Sequence, residues 1–249
     1  QRAAGQGGDE VVLTDVTAGE AVIAVMGPKA RTLLQAVSPN DFSNAANPFG
    51  TAQDIELGMA LARVHRVTYV GELGWEVYVS TDMAGHVFDT PVEAQGASVP
   101  RDTLMEAGVS HGAKLCGLHM MDSCRIENAF RHFGHDITCE DHVIDAGLGF
   151  AVKKTGDFTG RRAVEARRES GPETRLMQFK LTDPEPLLYH AEPSLRDGEV
   201  VGYLTSANYG HHLGGAIGLG YVPSAGEKAA DVLASTYEID VAGVRVAAE

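Results

Sequence analysis

Cysteine is scarce in this 249-residue sequence, and the three present, Cys116, Cys124 and Cys139, form no C-x-x-C pair. An odd number without that spacing argues against a disulfide framework and against a zinc knuckle. Basic residues are also few, 20 against 34 acidic ones, which gives a formal net charge of -14 at pH 7. Because so acidic a chain repels a polyanion, its composition argues against nucleic acid as a partner.

Long apolar runs are absent as well. No run reaches the roughly 20 residues that a membrane-spanning helix needs, and residues 1–9 lack the basic and then apolar pattern of a signal peptide. We therefore expect a cytoplasmic protein, or one of an organelle matrix, without a membrane partner. With 44% hydrophobic residues, the chain is long enough to bury one large core or two smaller ones.

The patterns along the chain predict an α+β part followed by a β part. Strands are expected at 11–13 and 21–25, a helix after Pro28, a loop at 41–50, an extended stretch at 55–70, and helices at 82–94, 102–111, 118–131 and 161–168. In the helix at 118–131, one face is expected to carry Ile126, Ala129, Phe130 and Phe133.

The character of the sequence changes near residue 172. Short β-prone runs follow at 177–181, 200–205, 216–222, 236–241 and 244–246, with tight turns expected at Asp197-Gly198 and Ala242-Gly243. We predict two domains, residues 1–172 with mixed helices and strands and residues 173–249 as a small β-barrel or sandwich.

The most informative segment is Y-V-G-E-L-G-W-E-V-Y-V at residues 69–79. If the central G-E-L-G forms a four-residue hairpin loop, Tyr69 faces Glu76 across the two strands. Alternation along the second strand places Glu76 and Tyr78 on the face opposite to Trp75. The segment therefore predicts a carboxylate beside an aromatic ring.

A carboxylate beside an aromatic ring suits a pterin or a similar heterocycle. The carboxylate accepts two parallel hydrogen bonds from an aminopyrimidine edge, while the aromatic face packs on the ring. A half-buried hairpin whose Glu76 is merely solvated fits the same pattern, and spacing without further information favours that alternative.

Five motifs follow one another along the chain: Y-x-G-E-x-G-x-E at 69–76, G-L-x(3)-D-S-x-R-I-E at 117–127, F-G-H-D-I at 133–137, D-F-T-G-R at 157–161 and T-S-A at 205–207. In this order they resemble the glycine-cleavage T-protein (aminomethyltransferase) family over nearly the whole chain. The ending Y-E-I-D-V-A-G at 237–243 is similar to the branch fused to dimethylglycine or sarcosine dehydrogenases. The resemblance implies ferredoxin-like αβ lobes of a folate-binding fold, followed by a small β-barrel.

The resemblance also implies roles for single residues. It assigns Glu76 to the pterin of tetrahydrofolate, with Tyr69 lining the same pocket. Phe130 holds the position of an aromatic residue that packs near the pterin, although a plain core residue is an equal alternative. Met121 stands where the stand-alone enzymes carry an arginine. The family's catalytic aspartate lies upstream of the first residue here, so the catalytic residue is unknown and an N-terminal truncation is expected.

The function that the resemblance implies is tetrahydrofolate-dependent one-carbon transfer, of an aminomethyl or methylene unit. The donor would be a methylated amine, or the iminium made from it by an upstream flavin domain of the same protein. The chain has no G-x-G-x-x-G after a strand, so FAD is expected only on a separate domain. Two alternatives are a non-catalytic folate-binding or interaction module and a folate-dependent S- or O-demethylase.

Two further clusters weigh less. One consists of His132, His135, Cys139 and His142. No two of these histidines are four residues apart as on a zinc-binding helix, so no metal is expected. The other is a basic patch of Lys153, Lys154, Arg161 and Arg162. It is either a solvated helix start or a landing site for the glutamate tail of folate.

Overall fold

The computed structural model describes residues 12–88 and 104–249. Its helices are α1 Ala30–Val37, α2 Thr81–Phe88, α3 Leu104–His111, α4 Leu118–Glu127, α5 Arg161–Ser170 and α6 Ala229–Leu233. Its strands are β1 Glu20–Met26, β2 Ala52–Leu57, β3 Ala60–His65, β4 Gly74–Ser80, β5 Thr174–Lys180, β6 Pro193–Arg196, β7 Glu199–Gly210, β8 Gly215–Pro223, β9 Tyr237–Val241 and β10 Val244–Ala248. The helix predictions for 89–94 and 102–103, and the strand prediction for residue 11, fall outside the described residues.

The chain divides into two compact units. The first comprises the described residues of Gln1–Thr68 and Glu72–Leu115, and the second comprises Tyr69–Gly71 and Cys116–Glu249. Residues after 116 group with the β part because α4 buries Ile126 against Ile217 and Leu219 of β8. The predicted domain boundary at 172/173 is a different division, and it stays a prediction.

The first unit is an antiparallel four-stranded sheet in the order β1-β4-β3-β2, covered by helices on one face. Along β4, Trp75, Val77 and Val79 are buried, whereas Glu76 and Tyr78 on the other face are half-buried. This confirms the predicted alternation, which follows from the two-residue period of a strand. Other core residues of this unit include Leu34, Phe42, Ile55, Val64, Val87 and Leu104.

The register of β4 differs from the prediction. Glu76 pairs with His65 on β3, so the prediction that Tyr69 faces Glu76 across a hairpin is wrong. The connection between β3 and β4 is residues 66–73, twice as long as the predicted loop. Because hairpin register follows from loop length, Tyr69 falls in the connection and not on a paired strand.

Helix α4 ends earlier than its pattern predicts. The N–H of Phe130 donates to the carbonyl of Arg125 at 2.9 Å, and the N–H of Ala129 donates to the carbonyl of Ile126 at 2.8 Å. Ala129 has a positive φ of 51°. These bonds form a Schellman motif, which ends a helix at a left-handed residue. The predicted helical face continuing from Ile126 through Ala129 and Phe130 to Phe133 is therefore wrong.

The second unit contains a six-stranded antiparallel sheet in the order β10-β9-β6-β7-β8-β5. Its two edges bond to each other, since Lys180 and Glu249 exchange backbone hydrogen bonds of 2.8 and 2.9 Å and the Thr182 N–H donates to the Ala247 carbonyl at 3.0 Å. A sheet closed in this way is a barrel, so the predicted α+β class with a C-terminal barrel is confirmed. The barrel core includes Phe179, Leu181, Leu204, Val222 and Ile239.

Both predicted tight turns occur in this barrel. Asp197-Gly198 has φ values of 52° and 88°, and Ala242-Gly243 has 53° and 88°. Two successive positive φ values are typical of the type I′ turn that joins adjacent strands. The predicted strand at residues 11–13 is wrong for its described part, because Val12 and Leu13 have no regular structure and exposed side chains.

Candidate functional site

Glu76 lies on β4 between its two neighbours β1 and β3. Its Oε2 accepts a hydrogen bond of 2.9 Å from the hydroxyl of Tyr78, two residues along the same face. That bond uses one lone pair of one oxygen, so the carboxylate can still accept two further N–H donors. The half-buried Glu76 is thus a fixed acceptor and not a freely rotating surface side chain.

His65 completes this cluster from the neighbouring strand. It stands opposite Glu76 in the register of β3 and β4, and its ring lies 4.6 Å from that of Tyr78, tilted by 36°. Sequence reasoning missed His65 because the predicted loop gave Glu76 a different partner. The aromatic rings grouped with this carboxylate inside the first unit are therefore those of Tyr78 and His65.

The opposite face of β4 is anchored in the core. The indole Nε1 of Trp75 donates to Oδ1 of Asn47, and Phe42 packs edge-on against its ring at 5.6 Å. Arg66 donates to the carbonyl of Asn47 at 2.7 Å and lies 5.6 Å from the indole centre. These contacts fix the backbone of β4, from which Glu76 projects to the other side.

Tyr69 belongs to the second unit. Its hydroxyl donates to the carbonyl of Arg131 at 3.2 Å, and burial raises the pKa of this phenol. The hydroxyl therefore stays protonated at neutral pH and serves as a donor within its own unit. Since Glu76 belongs to the first unit, the shared role of Tyr69 and Glu76 stays a prediction.

Phe130 also lies in the second unit, three residues after the end of α4. Its side chain is half-buried, and its carbonyl accepts a bond of 3.2 Å from Nη1 of Arg125. The backbone of Phe130 is therefore fixed by the helix end. Its contact with a pterin remains a prediction.

The first glycine of the Y-x-G-E-x-G-x-E motif is Gly71, and its surroundings explain why glycine is needed there. Its φ is 76°, and a Cβ at this position would overlap the side-chain amide of Asn128. That amide donates to the carbonyl of Cys124 at 2.9 Å, so it cannot move away without losing a bond. Only glycine fits both the left-handed backbone and this close approach.

We expect Gly71→Ala to lower the free energy of unfolding by about 1–3 kcal/mol, through the left-handed backbone cost and the overlap with Asn128. Urea unfolding of the wild type and the variant measures the difference. Gly160→Ala is the matched control, since its φ is 92° but no described atom lies within 4 Å of a Cβ there. A loss no larger at Gly71 than at Gly160 would show that the overlap has no cost.

Three of the sequence motifs meet in one buried network in the second unit. Nη1 of Arg125 lies 2.6 Å from Oδ2 of Asp136, and both side chains are almost fully buried, at 3% and 0% exposure. Nη2 of Arg125 donates to the hydroxyl of Ser206 at 2.7 Å, and the hydroxyl of Thr205 donates to Oδ1 of Asp136 at 2.5 Å. The His132 N–H donates to Asp136 at 2.9 Å. The D-S-x-R, F-G-H-D and T-S-A motifs therefore share a structural role.

Neighbouring bonds tie the same elements together. The hydroxyl of Ser123 donates to the carbonyl of Tyr209 at 2.6 Å. The hydroxyl of Tyr221 donates to the carbonyl of Asp136 at 3.0 Å, and burial raises the pKa of this phenol to about 12. The phenol is thus a permanent donor at neutral pH. Together these bonds fasten α4 and the segment after it to β7 and β8.

Glu127, the last residue of α4, holds the glycine-rich loop between β7 and β8. Its Oε1 accepts the His212 N–H at 2.7 Å, and its Oε2 lies 3.0 Å from Nδ1 of His212. His212 is 80% exposed at its side chain, whereas Glu127 is 9% exposed. This pair therefore orders the loop from its base.

The histidine–cysteine cluster and the basic patch, both noted in the sequence, have different surroundings in the structure. The rings of His132 and His135 lie 4.5 Å apart and are tilted by 40°, and no group of three potential metal-ligating side chains occurs in residues 12–88 and 104–249. In the basic patch, Arg161 is engaged with Glu165 at 2.7 Å along α5. For the other three residues of the patch, Lys153, Lys154 and Arg162, both alternatives stay open. They are either solvated or a landing site for the glutamate tail of folate.

Two grooves lie away from the predicted residues. One, of about 470 Å³, is lined by Arg31, Thr32, Gln35, Ala36, Asp41, Ser43 and His111 in the first unit. The other, of about 240 Å³, is lined by Thr174, Val201, Gly202, Tyr203, Thr205, Tyr221 and Pro223 in the second. Gln35, in the larger groove, donates to the carbonyls of Ser38 and Asn40 and accepts the Phe42 N–H. Neither groove is lined by Glu76, Tyr69 or Phe130, so the volumes of these grooves do not point to the predicted residues.

The chain is an α+β protein with a closed antiparallel barrel in its second unit. Comparison with known proteins identifies its family. Residues 1–156 match the GCVT N-terminal domain model, and residues 174–249 match the glycine cleavage T-protein C-terminal barrel domain model. The chain belongs to the glycine cleavage T-protein family. The predicted membership is confirmed.

The relatives include enzymes longer than this chain. The 4-methylaminobutanoate oxidase (formaldehyde-forming) of Paenarthrobacter nicotinovorans is 40% identical over 85% of this chain and 24% of its own length. The mitochondrial sarcosine dehydrogenase of Homo sapiens is 32% identical over 95% of this chain and 25% of its own length. The chain thus spans about a quarter of these relatives, and the predicted likeness to dehydrogenases is confirmed.

A solved structure shows the same fold. The glycine cleavage system aminomethyltransferase T from Bartonella henselae matches 92% of this chain and 82% of its own, with a TM-score of 0.60 and 18% identity. At this identity the likeness concerns the fold only. Separately, none of the described helices has the length and apolar character that crossing a membrane requires.

Proposed function

We propose that this chain binds tetrahydrofolate through Glu76 and takes part in one-carbon transfer to that cofactor. The observation that carries the proposal is the half-buried carboxylate of Glu76, held at one oxygen by the hydroxyl of Tyr78. Membership of the glycine cleavage T-protein family supports it from a second direction.

The chemistry of this side chain fits the pterin edge. The pyrimidine ring of a pterin presents an amino group and a ring N–H side by side, and a carboxylate accepts both in parallel. The rings of Tyr78 and His65 give the flat, weakly polar surroundings in which such a heterocycle packs. When bound, tetrahydrofolate supplies the nitrogen that takes up the one-carbon unit. The contribution of this chain is to bind and orient the pterin.

Tyr69 and Phe130 are proposed as further folate contacts on the strength of the family resemblance. Since the Tyr69 hydroxyl is engaged with the Arg131 carbonyl, Tyr69 would contribute its ring and not its hydroxyl. The division into domains 1–172 and 173–249 is likewise a proposal. It is supported by the family matches, which end at 156 and begin again at 174.

The donor is proposed to be an N-methylated amine. The names of the two relatives refer to sarcosine and to 4-methylaminobutanoate, which are both N-methyl amino acids. We propose that a separate flavin domain, which would carry FAD, oxidises such an amine to an iminium. This chain then directs its one-carbon unit to tetrahydrofolate. The word formaldehyde-forming in one of these names describes the outcome expected when the unit is not captured.

A titration with 5-formyltetrahydrofolate, a stable reduced folate, tests the proposal in the protein at its natural length. Saturable binding is expected, with the amino edge of the pterin at hydrogen-bond distance from Glu76 in a structure of the complex. Para-aminobenzoylglutamate, which has the tail but no pterin, should bind much more weakly. Equal binding of the two ligands, or a pterin remote from Glu76, would refute the proposal.

A further inference from the structure

The cluster around Glu76 contains a residue to which no role is assigned, Tyr78. Tyr78 lies on the same face of β4 as Glu76, opposite to the core that contains Trp75. Same-face neighbours on one strand stand almost 7 Å apart at their backbone. The ring of Tyr78 must therefore lean along the strand for its hydroxyl to reach Oε2 of Glu76 at 2.9 Å.

A contact from the next strand supports the ring of Tyr78 in this position. His65 of β3 lies diagonally across from Tyr78, whose direct partner in the register is Arg63. The two rings are nevertheless 4.6 Å apart and tilted by only 36°. His65 therefore packs on one side of the Tyr78 ring and limits its rotation, as expected of a diagonal aromatic pair in a sheet.

We propose that Tyr78 is the positioning residue for the pterin-binding carboxylate, which it holds in the rotamer that presents its free lone pairs to the ligand. This inference rests on the proposed function of Glu76. A glutamate has three side-chain torsions, so an unheld carboxylate would have to be ordered when the ligand binds. Ordering it beforehand removes that cost from the binding step.

The protonation of Tyr78 suits this role. The hydrogen bond to Glu76 raises the pKa of the phenol, and partial burial acts in the same direction. The hydroxyl therefore remains a donor at neutral pH. Because it donates one proton only, it leaves three of the four acceptor positions of the carboxylate open.

Tyr78→Phe removes the hydroxyl and keeps the ring, so it separates positioning from packing. We expect its affinity for 5-formyltetrahydrofolate to fall about five-fold, the cost of ordering one flexible side chain when the ligand binds. Its unfolding midpoint should stay within error of the wild type, since the hydroxyl lies outside the buried core. Tyr189→Phe, at a tyrosine that is 69% exposed, is the matched control and should leave the affinity unchanged.

A double-mutant cycle with Glu76→Ala distinguishes positioning from a general structural effect. If Tyr78 acts through the carboxylate, Tyr78→Phe should cause no further loss of affinity once Glu76→Ala is present. A five-fold loss that persists in that background would overturn the inference. So would wild-type affinity for Tyr78→Phe when Glu76→Ala binds weakly. Unaltered affinity for Glu76→Ala itself would overturn the proposed function, a result distinct from the other two.

Discussion

Asp136→Asn is expected to lower the free energy of unfolding by about 3 kcal/mol, because the buried guanidinium of Arg125 loses its buried counter-ion. Arg125 then keeps only Asp122, whose Oδ1 lies 3.0 Å from Nε and whose side chain is 23% exposed. The side chains of this pair are 3% and 0% exposed, and their atoms approach to 2.6 Å. Asparagine keeps the shape of aspartate but presents an NH2 group where Arg125 or Thr205 now donates. Urea unfolding measures the loss.

Asp54→Asn is the matched control, because it removes the charge from an arginine–aspartate ion pair on the surface. Asp54 and Arg63 lie 2.8 Å apart, at 72% and 62% exposure. An exposed pair of this kind contributes little, since water and salt screen it. Similar losses for Asp54→Asn and Asp136→Asn would contradict a special role for the buried pair.

A double variant distinguishes the cost of breaking the ion pair from the loss of its hydrogen bonds. Replacing both partners, as Arg125→Met with Asp136→Leu, should be less damaging than Asp136→Asn, since both members of the buried pair are then apolar. Asp122, which loses its bond to Arg125, is 23% exposed and stays hydrated. A double variant that is less stable than Asp136→Asn would show that the hydrogen bonds to Ser206 and Thr205 contribute more than the charges do.

The local patterns of the sequence were sufficient to predict which residues of β4 share a face of the sheet. Alternation over Trp75, Glu76 and Val77 depends only on the two-residue period of a strand, so it could be predicted without knowing the partner strand. The register needed the length of the connection 66–73, and a glycine at each end of G-E-L-G suggested a shorter loop. Tyr69 was therefore paired with the wrong residue, and His65 was missed.

The buried network illustrates a different limit of sequence reasoning. The motif that contains Arg125 precedes Asp136 by 11 residues and Ser206 by 81. No periodicity links positions so far apart, so the motifs could be recognised together only by their order in a family. Their physical reason, a buried charge pair and the two hydroxyl groups that bond to it, could be recognised only from the fold. The same applies to Gly71, whose need for glycine depends on the distant Asn128.

The candidate site was predicted in part. Glu76 and Tyr78 were correctly placed on one face, and the structure adds the bond between them. The early end of α4 moved Phe130 off the helix, because Ala129 adopts a left-handed conformation that nothing in its own identity favours. Glycine at such a position would have signalled the helix end.

Glu76→Gln is expected to weaken folate binding by about ten- to a hundred-fold. A carboxylate that accepts two hydrogen bonds needs no donor of its own, whereas an amide presents one oxygen and one NH2 group and must lose or mismatch one bond. A hydrogen bond to a charged partner contributes about 1.5–3 kcal/mol, which corresponds to that range of affinity. Titration with 5-formyltetrahydrofolate measures the effect, and Glu56→Gln on the same face of the sheet is the control, since Glu56 lies on edge strand β2 and its side chain is exposed.

The same variant separates folate binding from amine oxidation in the protein at its natural length. If oxidation occurs on a separate flavin domain, its rate should persist in Glu76→Gln while the folate-linked product falls and free formaldehyde rises by the same amount. Stability should change little, because the bond from Tyr78 can also be accepted by the amide oxygen of glutamine. Equal loss of both activities would indicate a general structural defect. Unaltered folate affinity would instead identify Glu76 as a solvated strand residue, and the pterin would have to be recognised by other groups.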